Sequence, residues 1–369
     1  MKKRRHMKTM LLVLCIAALG SVAAPADEAD LRIDEMDALM TAYEAAGTFS
    51  GAVLVAEAGE VIYERAIGYA NQDWGILNTT DTRFRIASIS KTFTKVLLLQ
   101  LVEDGLLDFD ETIADYLPDY AGPGADEITI QQLFAHRSGI VGEPAVEDLD
   151  RIERDHFTRS QMLDLIASYE LAAPPGEQWI YSNFGYYLLG AILESASDRT
   201  YTELLEERIC APAGMQDTLP DITTQVIERR ASGYSLDREG RLTLDVPLDM
   251  SFVFAYGHLL SSTHDLYLFY EALLDGRLLN RAHQRIVYDW EAERRPIGDG
   301  SQTAYVCEDG PASVNGFRAG VYSYPWEDRL VVVLMNTRGS GASLVYEVGR
   351  NLAAVLYGAP YVLPAPAGP

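Results

Sequence analysis

The chain has 369 residues, of which 48% are hydrophobic, and a formal charge of −24 at pH 7. This length and composition are sufficient for a large buried core, which we expect to be divided between two lobes. The excess of negative charge argues against binding to nucleic acid or to an anionic membrane surface.

The first 24 residues have the pattern of a secretory signal peptide. Five basic residues within the first eight positions precede the apolar run MLLVLCIAALG, and small residues near Ala23 and Ala24 offer cleavage sites. We therefore predict an exported protein, periplasmic or extracellular, whose mature part has 25 basic residues against 54 acidic ones. Because no later run approaches about 18 consecutive apolar residues, we expect no stable insertion into a membrane.

A helix, a hairpin and a second helix are predicted next. Leu31 to Ala46 has amphipathic helical spacing and is followed by a glycine. The run GAVLVAEAGEVIYERAIGYA predicts two strands joined by a tight turn around Ala58 and Gly59. The run FRIASISKTFTKVLLLQLVEDGLL then predicts a long apolar helix that ends at Gly105.

The remainder of the chain divides into a helical part and a strand-rich part. The pattern is mostly helical from Asp110 to about Glu228, whereas QTAYVC, SVNGFRAGVYSY and RLVVVLMNT predict strands before a last helix, Ser343 to Leu356. We therefore predict an α+β fold with a sheet domain formed by residues 25–109 and 229–358, a helical insertion domain at 110–228 and a disordered tail at 359–369.

The segment SISK holds a serine and a lysine at a spacing that suits covalent catalysis. Ser88 and Lys91 are three residues apart at the predicted start of a helix, so both side chains lie on one face. A serine hydroxyl needs a neighbouring base, which a lysine of lowered pKa can provide and an arginine cannot. Beyond the first eight residues only Lys91 and Lys95 are lysines, although arginine is frequent. The spacing also arises by chance, and Lys95 has no evident chemistry, so this pair needs further support.

A second motif, Tyr181-Ser182-Asn183, follows the loop APPGEQ and precedes an apolar helix. A tyrosine phenol beside an ammonium group can transfer protons, and an asparagine amide can contact both a lysine and a substrate carbonyl. Because the chain has 21 tyrosines, this motif has weight only together with the first one.

Several segments together resemble the serine β-lactamase-like family: FRIASISKTFT, LLDFDETIADYLPDY, ITIQQLFAHRSGI, PPGEQWIYSNFGYYLLGAILE, ERICAPAGMQDT and LLSSTHDL. This family includes class C β-lactamases, D-alanyl-D-alanine carboxypeptidases, D-aminopeptidases and β-lactamase-fold esterases. The resemblance extends from about Gly51 to Thr337 in the family's order. It implies an antiparallel sheet flanked by helices, an inserted all-helical domain, and an active site in the cleft between them.

The resemblance also implies roles for individual residues. Ser88 would be the acylated nucleophile, Lys91 and Tyr181 would share proton transfer, and Asn183 would contact Lys91 and the carbonyl side of the substrate. The implied reaction is acyl transfer in two steps on a small-molecule or peptide substrate, without a cofactor. Tyr256 resembles a residue that lines the class C cleft, although ordinary packing explains it equally well.

The family's third motif, Lys-Thr-Gly or His-x-Gly, is missing. No lysine follows Lys95, no His-x-Gly occurs, and Gly310 stands at the cationic position. Loss of this charge should weaken recognition of a substrate carboxylate by ~1–3 kcal/mol, the scale of a charged hydrogen bond. Arg318 could replace the charge, although a surface role is the simpler interpretation. The Ser313 N–H could still complete the oxyanion hole.

We therefore predict an exported serine hydrolase that cleaves an ester or amide through an acyl-enzyme on Ser88. One alternative is a D-alanyl-D-alanine carboxypeptidase or β-lactamase. Another is a non-catalytic relative that binds a cell-wall or peptide ligand, although retention of the whole first and second motifs argues against it.

The remaining patterns predict neither a metal site nor a nucleotide cofactor. His258 and His264 are too far apart for a ligand pair on one helical turn, and the Gly-x-Gly at 339–341 lacks the third glycine of a dinucleotide loop. Cys210 and Cys307 are expected to be buried thiols rather than a disulfide. The oligomeric state stays open.

Overall fold

The computed structural model describes residues 26–143, 154–338 and 343–364. The predicted signal peptide and the end of the predicted tail, residues 365–369, lie outside them. Within the described ranges no helix is long and apolar enough to cross a membrane. The part of the predicted tail that is described, 359–364, has no regular secondary structure, but Ala359 is buried and Val362 exchanges two hydrogen bonds with Asn351.

Helices and strands occur in groups along the chain. The α-helices are α1 (Ala26–Ala45), α2 (Ser90–Glu103), α3 (Ile113–Tyr116), α4 (Ile130–Phe134), α5 (Arg159–Ala167), α6 (Asn183–Ser197), α7 (Tyr201–Leu205), α8 (Ala211–Ala213), α9 (Met250–Val253), α10 (Thr263–Leu274), α11 (Arg281–Glu291) and α12 (Ser343–Leu356). The strands are β1 (Gly51–Glu57), β2 (Glu60–Ile67), β3 (Tyr69–Asn71), β4 (Ile76–Leu77), β5 (Phe84–Arg85), β6 (Leu219–Pro220), β7 (Tyr234–Leu236), β8 (Leu242–Leu244), β9 (Leu259–Ser261), β10 (Ala292–Ile297), β11 (Gln302–Val314), β12 (Phe317–Tyr324), β13 (Arg329–Met335) and β14 (Thr337–Arg338). Short 3₁₀ turns span Ala87–Ile89 and Phe254–Tyr256.

The largest sheet is antiparallel and has the strand order β10–β11–β12–β13–β1–β2. Along β1, successive side chains point to opposite faces of the sheet. Ala52 and Leu54 belong to the hydrophobic core on one face, and Val53 and Val55 belong to the core on the other. A strand that is covered on both faces needs an unbroken apolar run, which the residues AVLVA provide.

Helices cover both faces of this sheet. On one face α12 contacts β12 and β13, and α1 contacts α12 and β2. On the other face α10 contacts β1 and β13. The apolar helix α2 contacts α6 and α7, and the turn Ala87–Ile89 before α2 contacts β11 and β12. This turn therefore lies where the sheet meets the helical part of the chain.

The α+β fold is confirmed, and so are the elements predicted with the strongest patterns. The first hairpin turns at Ala58 and Gly59, which both have positive φ. The apolar helix after the Ser88 motif, the strands β11 to β13 and the last helix also occur where they were predicted. Helices α3 to α8 lie between residues 110 and 228, and the exact limits of the two domains stay predictions.

No helix or strand was predicted for the segment between 263 and 297. It forms α10, α11 and the edge strand β10. The Ser262 hydroxyl accepts a hydrogen bond from the Asp265 N–H and so caps α10. Buried Leu266, Phe269 and Leu273 then recur at helical spacing, a pattern that is present in the sequence.

Candidate active site

Ser88 lies on the 3₁₀ turn Ala87–Ile89, directly before α2. The prediction that Ser88 itself opens the α-helix was therefore wrong by two residues, although Ser88 and Lys91 still lie one turn apart. Ala87 has a φ of 49°, which is uncommon for a residue with a side chain. Residues in such conformations cluster at functional sites, where the surrounding packing holds them in place.

Lys91 is buried, with 4% of its surface exposed, and its amino group faces Ser88. The Lys91 Nζ lies 3.1 Å from Ser88 Oγ and donates to the Tyr256 carbonyl oxygen at 2.9 Å. Burial lowers the pKa of Lys91 to about 7; the nearby carboxylates of Glu143 and Asp309 oppose this shift. A substantial fraction of this amine is therefore neutral near pH 7 and able to accept the serine proton.

Tyr181 donates a hydrogen bond from its hydroxyl to Ser88 Oγ at 2.9 Å. It lies just before α6, whose first turn is capped when the Ser182 hydroxyl accepts from the Gly185 N–H. Although 42% of Tyr181 is exposed, burial in the cleft raises the pKa of its phenol to about 12, so it stays protonated at neutral pH. The structure thus brings Ser88, Lys91 and Tyr181 together as one hydrogen-bonded unit.

Asn183 makes a different contact from the predicted one. Its amide Nδ2 donates to a carboxylate oxygen of Glu143, and its Oδ1 is buried without a donor among the described residues. No hydrogen bond between Asn183 and Lys91 is found among the described residues, since Lys91 is directed to Ser88 and Tyr256, and the predicted contact between them stays a prediction. Asn183 still lines the cavities on either side of Ser88.

Two cavities adjoin Ser88, and both are also lined by Ser313. The smaller, of about 320 Å³, has both polar and apolar walls and is lined in addition by Glu143, Leu248, Phe252, Val253, Tyr256, Val314, Asn315 and Arg338. The larger, of about 550 Å³, is lined in addition by Lys91, Lys95, His136, Trp179, Tyr181, Asp309, Gly310 and Pro311. Tyr256 thus contributes a cavity wall as well as the carbonyl that orients Lys91, whereas Arg318 lines neither cavity.

The third-motif position, Gly310, has a backbone that accepts no side chain. It lies in β11 where the pairing with β12 is interrupted, and its φ is +125°. A β-carbon there would lie 2.8 Å from the carbonyl oxygen of Ala319. The motif has therefore been lost in its backbone as well as in its side chain.

Sequence reasoning missed Asp309, whose carboxylate faces the larger cavity. One of its oxygens accepts hydrogen bonds from the Thr92 hydroxyl at 2.5 Å and the Tyr270 hydroxyl at 2.7 Å. These donors lie on α2 and α10, so Asp309 joins β11 to both helices. Glu143 and Arg338 were also missed. No residue pattern around these three positions indicates a site, because only tertiary packing brings them to Ser88.

The histidines serve structural roles in this region. His136 has a φ of 56° and accepts a hydrogen bond at Nδ1 from the Ser182 N–H, which fixes the turn beside the cleft. Burial and the positive charges of Lys91 and Lys95 lower the pKa of His136 to about 3, so it is neutral. No group of three or more His, Cys, Asp or Glu side chains suited to a metal occurs among the described residues. Cys210 and Cys307 are both buried and unbridged.

Comparisons with known proteins place this geometry in a family. The family model described as Beta-lactamase matches residues 36–355. Penicillin-binding protein 4* of Bacillus subtilis (strain 168) is 29% identical over 266 residues, which are 68% of this chain and 58% of that protein. The chain thus spans less than two thirds of the length of the curated relatives it matches first.

Two crystal structures show the same fold. The penicillin-binding protein from Bacillus halodurans has a TM-score of 0.70 at 26% identity, over 84% of this chain and 97% of that one. The D-stereospecific amidohydrolase from a Streptomyces species also has a TM-score of 0.70, at 25% identity, over 85% of this chain and 98% of the other.

Proposed function

The chain belongs to the Beta-lactamase family, and on this premise we propose that it cleaves an ester or amide through an acyl-enzyme on Ser88. The observation that carries the proposal is the hydrogen-bonded unit of Ser88, buried Lys91 and Tyr181. A serine is activated when it lies within hydrogen-bonding distance of a base and a third group holds that base in place. Here the Tyr256 carbonyl oxygen holds the base.

In the acylation step, neutral Lys91 accepts the proton of Ser88 while Oγ bonds to the substrate carbonyl carbon. The backbone N–H groups of Ser88 and Ser313 are the candidate donors to the resulting oxyanion. The bond from the carbonyl carbon to the leaving group then breaks as the Tyr181 hydroxyl gives its proton to that group, and Lys91 returns a proton to the phenolate. Water then attacks the acyl-enzyme, with Lys91 taking its proton and Ser88 Oγ regaining one.

The proposed substrate has no essential carboxylate on the leaving-group side. Position 310 carries no cation, and its backbone leaves no room for one. In the larger cavity the charge of Lys95 is opposed by that of Asp309. This arrangement supports an uncharged leaving group, such as an alcohol or a neutral amine.

A D-alanyl-D-alanine carboxypeptidase or β-lactamase is the second candidate. Lys95 lines the same cavity as the nucleophile and supplies a cation that a substrate carboxylate could approach. Two of the similar proteins are named as penicillin-binding proteins. A third candidate, a non-catalytic binding protein, has less support, since it would not require a lysine of lowered pKa beside a serine.

Intact mass spectrometry tests these candidates directly. The protein would be exposed separately to a fluorophosphonate, a p-nitrophenyl ester and a penicillin. We expect one fluorophosphonate adduct and rapid ester turnover, both lost in Ser88→Ala and both retained in Ser301→Ala, a serine in an exposed turn. A stable penicilloyl adduct would favour the second candidate, and no adduct with any reagent would exclude catalysis by Ser88.

Export is the remaining part of the proposal. It is supported by the basic and apolar pattern of the first 24 residues. N-terminal sequencing of the protein recovered from the periplasm or the medium should find a chain that begins just after Ala23 or Ala24. A chain that remains in the cytoplasm with its N-terminus intact would contradict this.

A further inference from the structure

The two cavities beside Ser88 differ in their access to the proton donor. Lys91 and Tyr181 line the larger cavity and do not line the smaller one. In the proposed mechanism the leaving group receives its proton from Tyr181, so it must lie on the side of the larger cavity. The acyl group of the substrate then extends into the smaller cavity.

The smaller cavity combines apolar residues with one cationic side chain, Arg338, and one carboxylate, Glu143, which accepts a hydrogen bond from the Asn183 amide. Leu248, Phe252 and Val253 form part of the wall, and Arg338 on β14 lies at the same cavity. Arg338 is exposed and makes no ion pair with any carboxylate in the described ranges. The four residues that follow it in the sequence are Gly, Ser, Gly and Ala, which carry no carboxylate.

A second arginine lies close enough to Arg338 to be affected by its charge. Arg318 on β12 is paired across the sheet with Ser313, one of the residues common to both cavities. The Arg318 Nε is buried and donates to no acceptor. Burial and the positive charge of Arg338 together lower the pKa of Arg318.

Several other arginines of this acidic chain form ion pairs with carboxylates. Arg83 pairs with Asp217, and Asp221 accepts from both Arg85 and Arg230. Arg318 and Arg338 are two neighbouring guanidinium groups that form no ion pair among the described residues, in a chain with a net charge of −24. An anion bound beside them would relieve their repulsion and form charge-assisted hydrogen bonds with a planar, multiply donating group.

We propose that the smaller cavity binds an acyl chain ending in an oxyanionic group, a carboxylate or a phosphate. Arg338 pairs with this group, and Arg318 supplies a second positive charge behind it. The inference rests on the proposed function and specifies its substrate: an ester or amide whose negative charge is on the acyl side, remote from the cleaved bond.

A series of matched esters tests the proposal. The substrates are p-nitrophenyl hexanoate, the p-nitrophenyl monoester of adipic acid, in which a carboxylate replaces the terminal methyl, and the p-nitrophenyl ester of 5-phosphonopentanoic acid. Initial rates, corrected for spontaneous hydrolysis, give kcat and KM for each. We expect kcat/KM for the better of the two anionic esters to exceed that of the hexanoate by about 10-fold, mainly through KM, the effect of one charged hydrogen bond. Whichever anionic ester is preferred identifies the group as a carboxylate or a phosphate.

Variants assign this preference to particular residues. In Arg338→Gln the ratio of anionic to neutral kcat/KM should fall by about 10-fold, and in Arg318→Gln by a smaller factor. Arg285→Gln is the matched control, because Arg285 lies on α11, lines neither cavity and carries the same charge. The ratio in this control should equal that of the parent protein.

The outcomes separate this proposal from the function on which it rests. Turnover of the hexanoate with no preference for either anion, or a preference that survives Arg338→Gln, would overturn the acyl-side anion site while leaving the hydrolase intact. Failure to turn over any of the three esters, without a Ser88 adduct, would overturn the proposed function itself. A loss of preference in the Arg285 control equal to that in Arg338→Gln would attribute the effect to overall charge and would also overturn the site.

Discussion

Replacing Lys91 by arginine removes the proposed base while keeping a positive charge at the same position. Burial lowers the pKa of Lys91 to about 7, so roughly half of these amines are neutral at pH 7. An arginine with a pKa above ~12.5 would have a neutral fraction below about 10⁻⁵ at that pH. General base catalysis contributes about 10²–10⁴-fold to rate, so kcat/KM for a neutral p-nitrophenyl ester should fall by that factor.

The assay is steady-state ester hydrolysis between pH 5 and 9, with circular dichroism and a thermal melt to establish that each variant is folded. Because Lys91 accepts a proton only above its pKa, kcat/KM of the parent protein should rise through about pH 7. Lys95→Arg is the matched control, one turn further along α2, and should keep most of the activity because Lys95 transfers no proton in the mechanism. A folded Lys91→Arg protein with the parent's turnover would refute the assignment of Lys91 as the base.

Three further changes probe the site and the core. Tyr181→Phe should slow acylation by an alkyl ester by roughly 10²–10³-fold, because an alkoxide leaving group loses its proton donor, whereas p-nitrophenolate departs without a proton and its release should slow much less. An unchanged rate with the alkyl ester would exclude that role. Asp309→Asn removes a negative charge that raises the pKa of Lys91, so this pKa should fall. The acid limb of the plot of kcat/KM against pH should then move to lower pH, and a movement to higher pH would contradict the effect assigned to Asp309. Leu98 on α2 is fully buried, so Leu98→Ala should lower the free energy of unfolding, measured in urea, by about 2–5 kcal/mol. The same change at the exposed Leu106 should cost far less, and equal losses would contradict the packing of α2.

The sequence is sufficient to predict those parts of the molecule that depend on local spacing. The periodic apolar runs predict β1, β2, α2 and α12, and the three-residue spacing of Ser88 and Lys91 places both on one side of the same helical segment. The proximity of Tyr181 follows only from the family resemblance, since 93 residues separate it from Ser88. Long-range neighbours of this kind have no signal in composition or periodicity.

The contacts that set the charges around the nucleophile were not predictable in this way. Asp309 reaches the cleft because β11 contacts the turn before α2, and Arg338 reaches it because β14 follows the central strand β13. Neither residue belongs to a motif with fixed spacing. The hydrogen bond from the Asn183 amide to Glu143 was not predicted for the same reason, because Glu143 belongs to no recognisable pattern.

The missing third motif changes the backbone of the site as well as its charge. With a φ of +125° and the Ala319 carbonyl oxygen 2.8 Å from where a β-carbon would lie, position 310 favours glycine, so the cation cannot be restored by one substitution without moving β11 or β12. Positive charge near Ser88 is instead placed at Lys95, in the cavity that Asp309 also lines, and at Arg338, which forms no ion pair among the described residues although Glu143 lines the same cavity. In the proposed mechanism, the uncharged fragment leaves past Tyr181, and the charged fragment stays on Ser88 until water releases it.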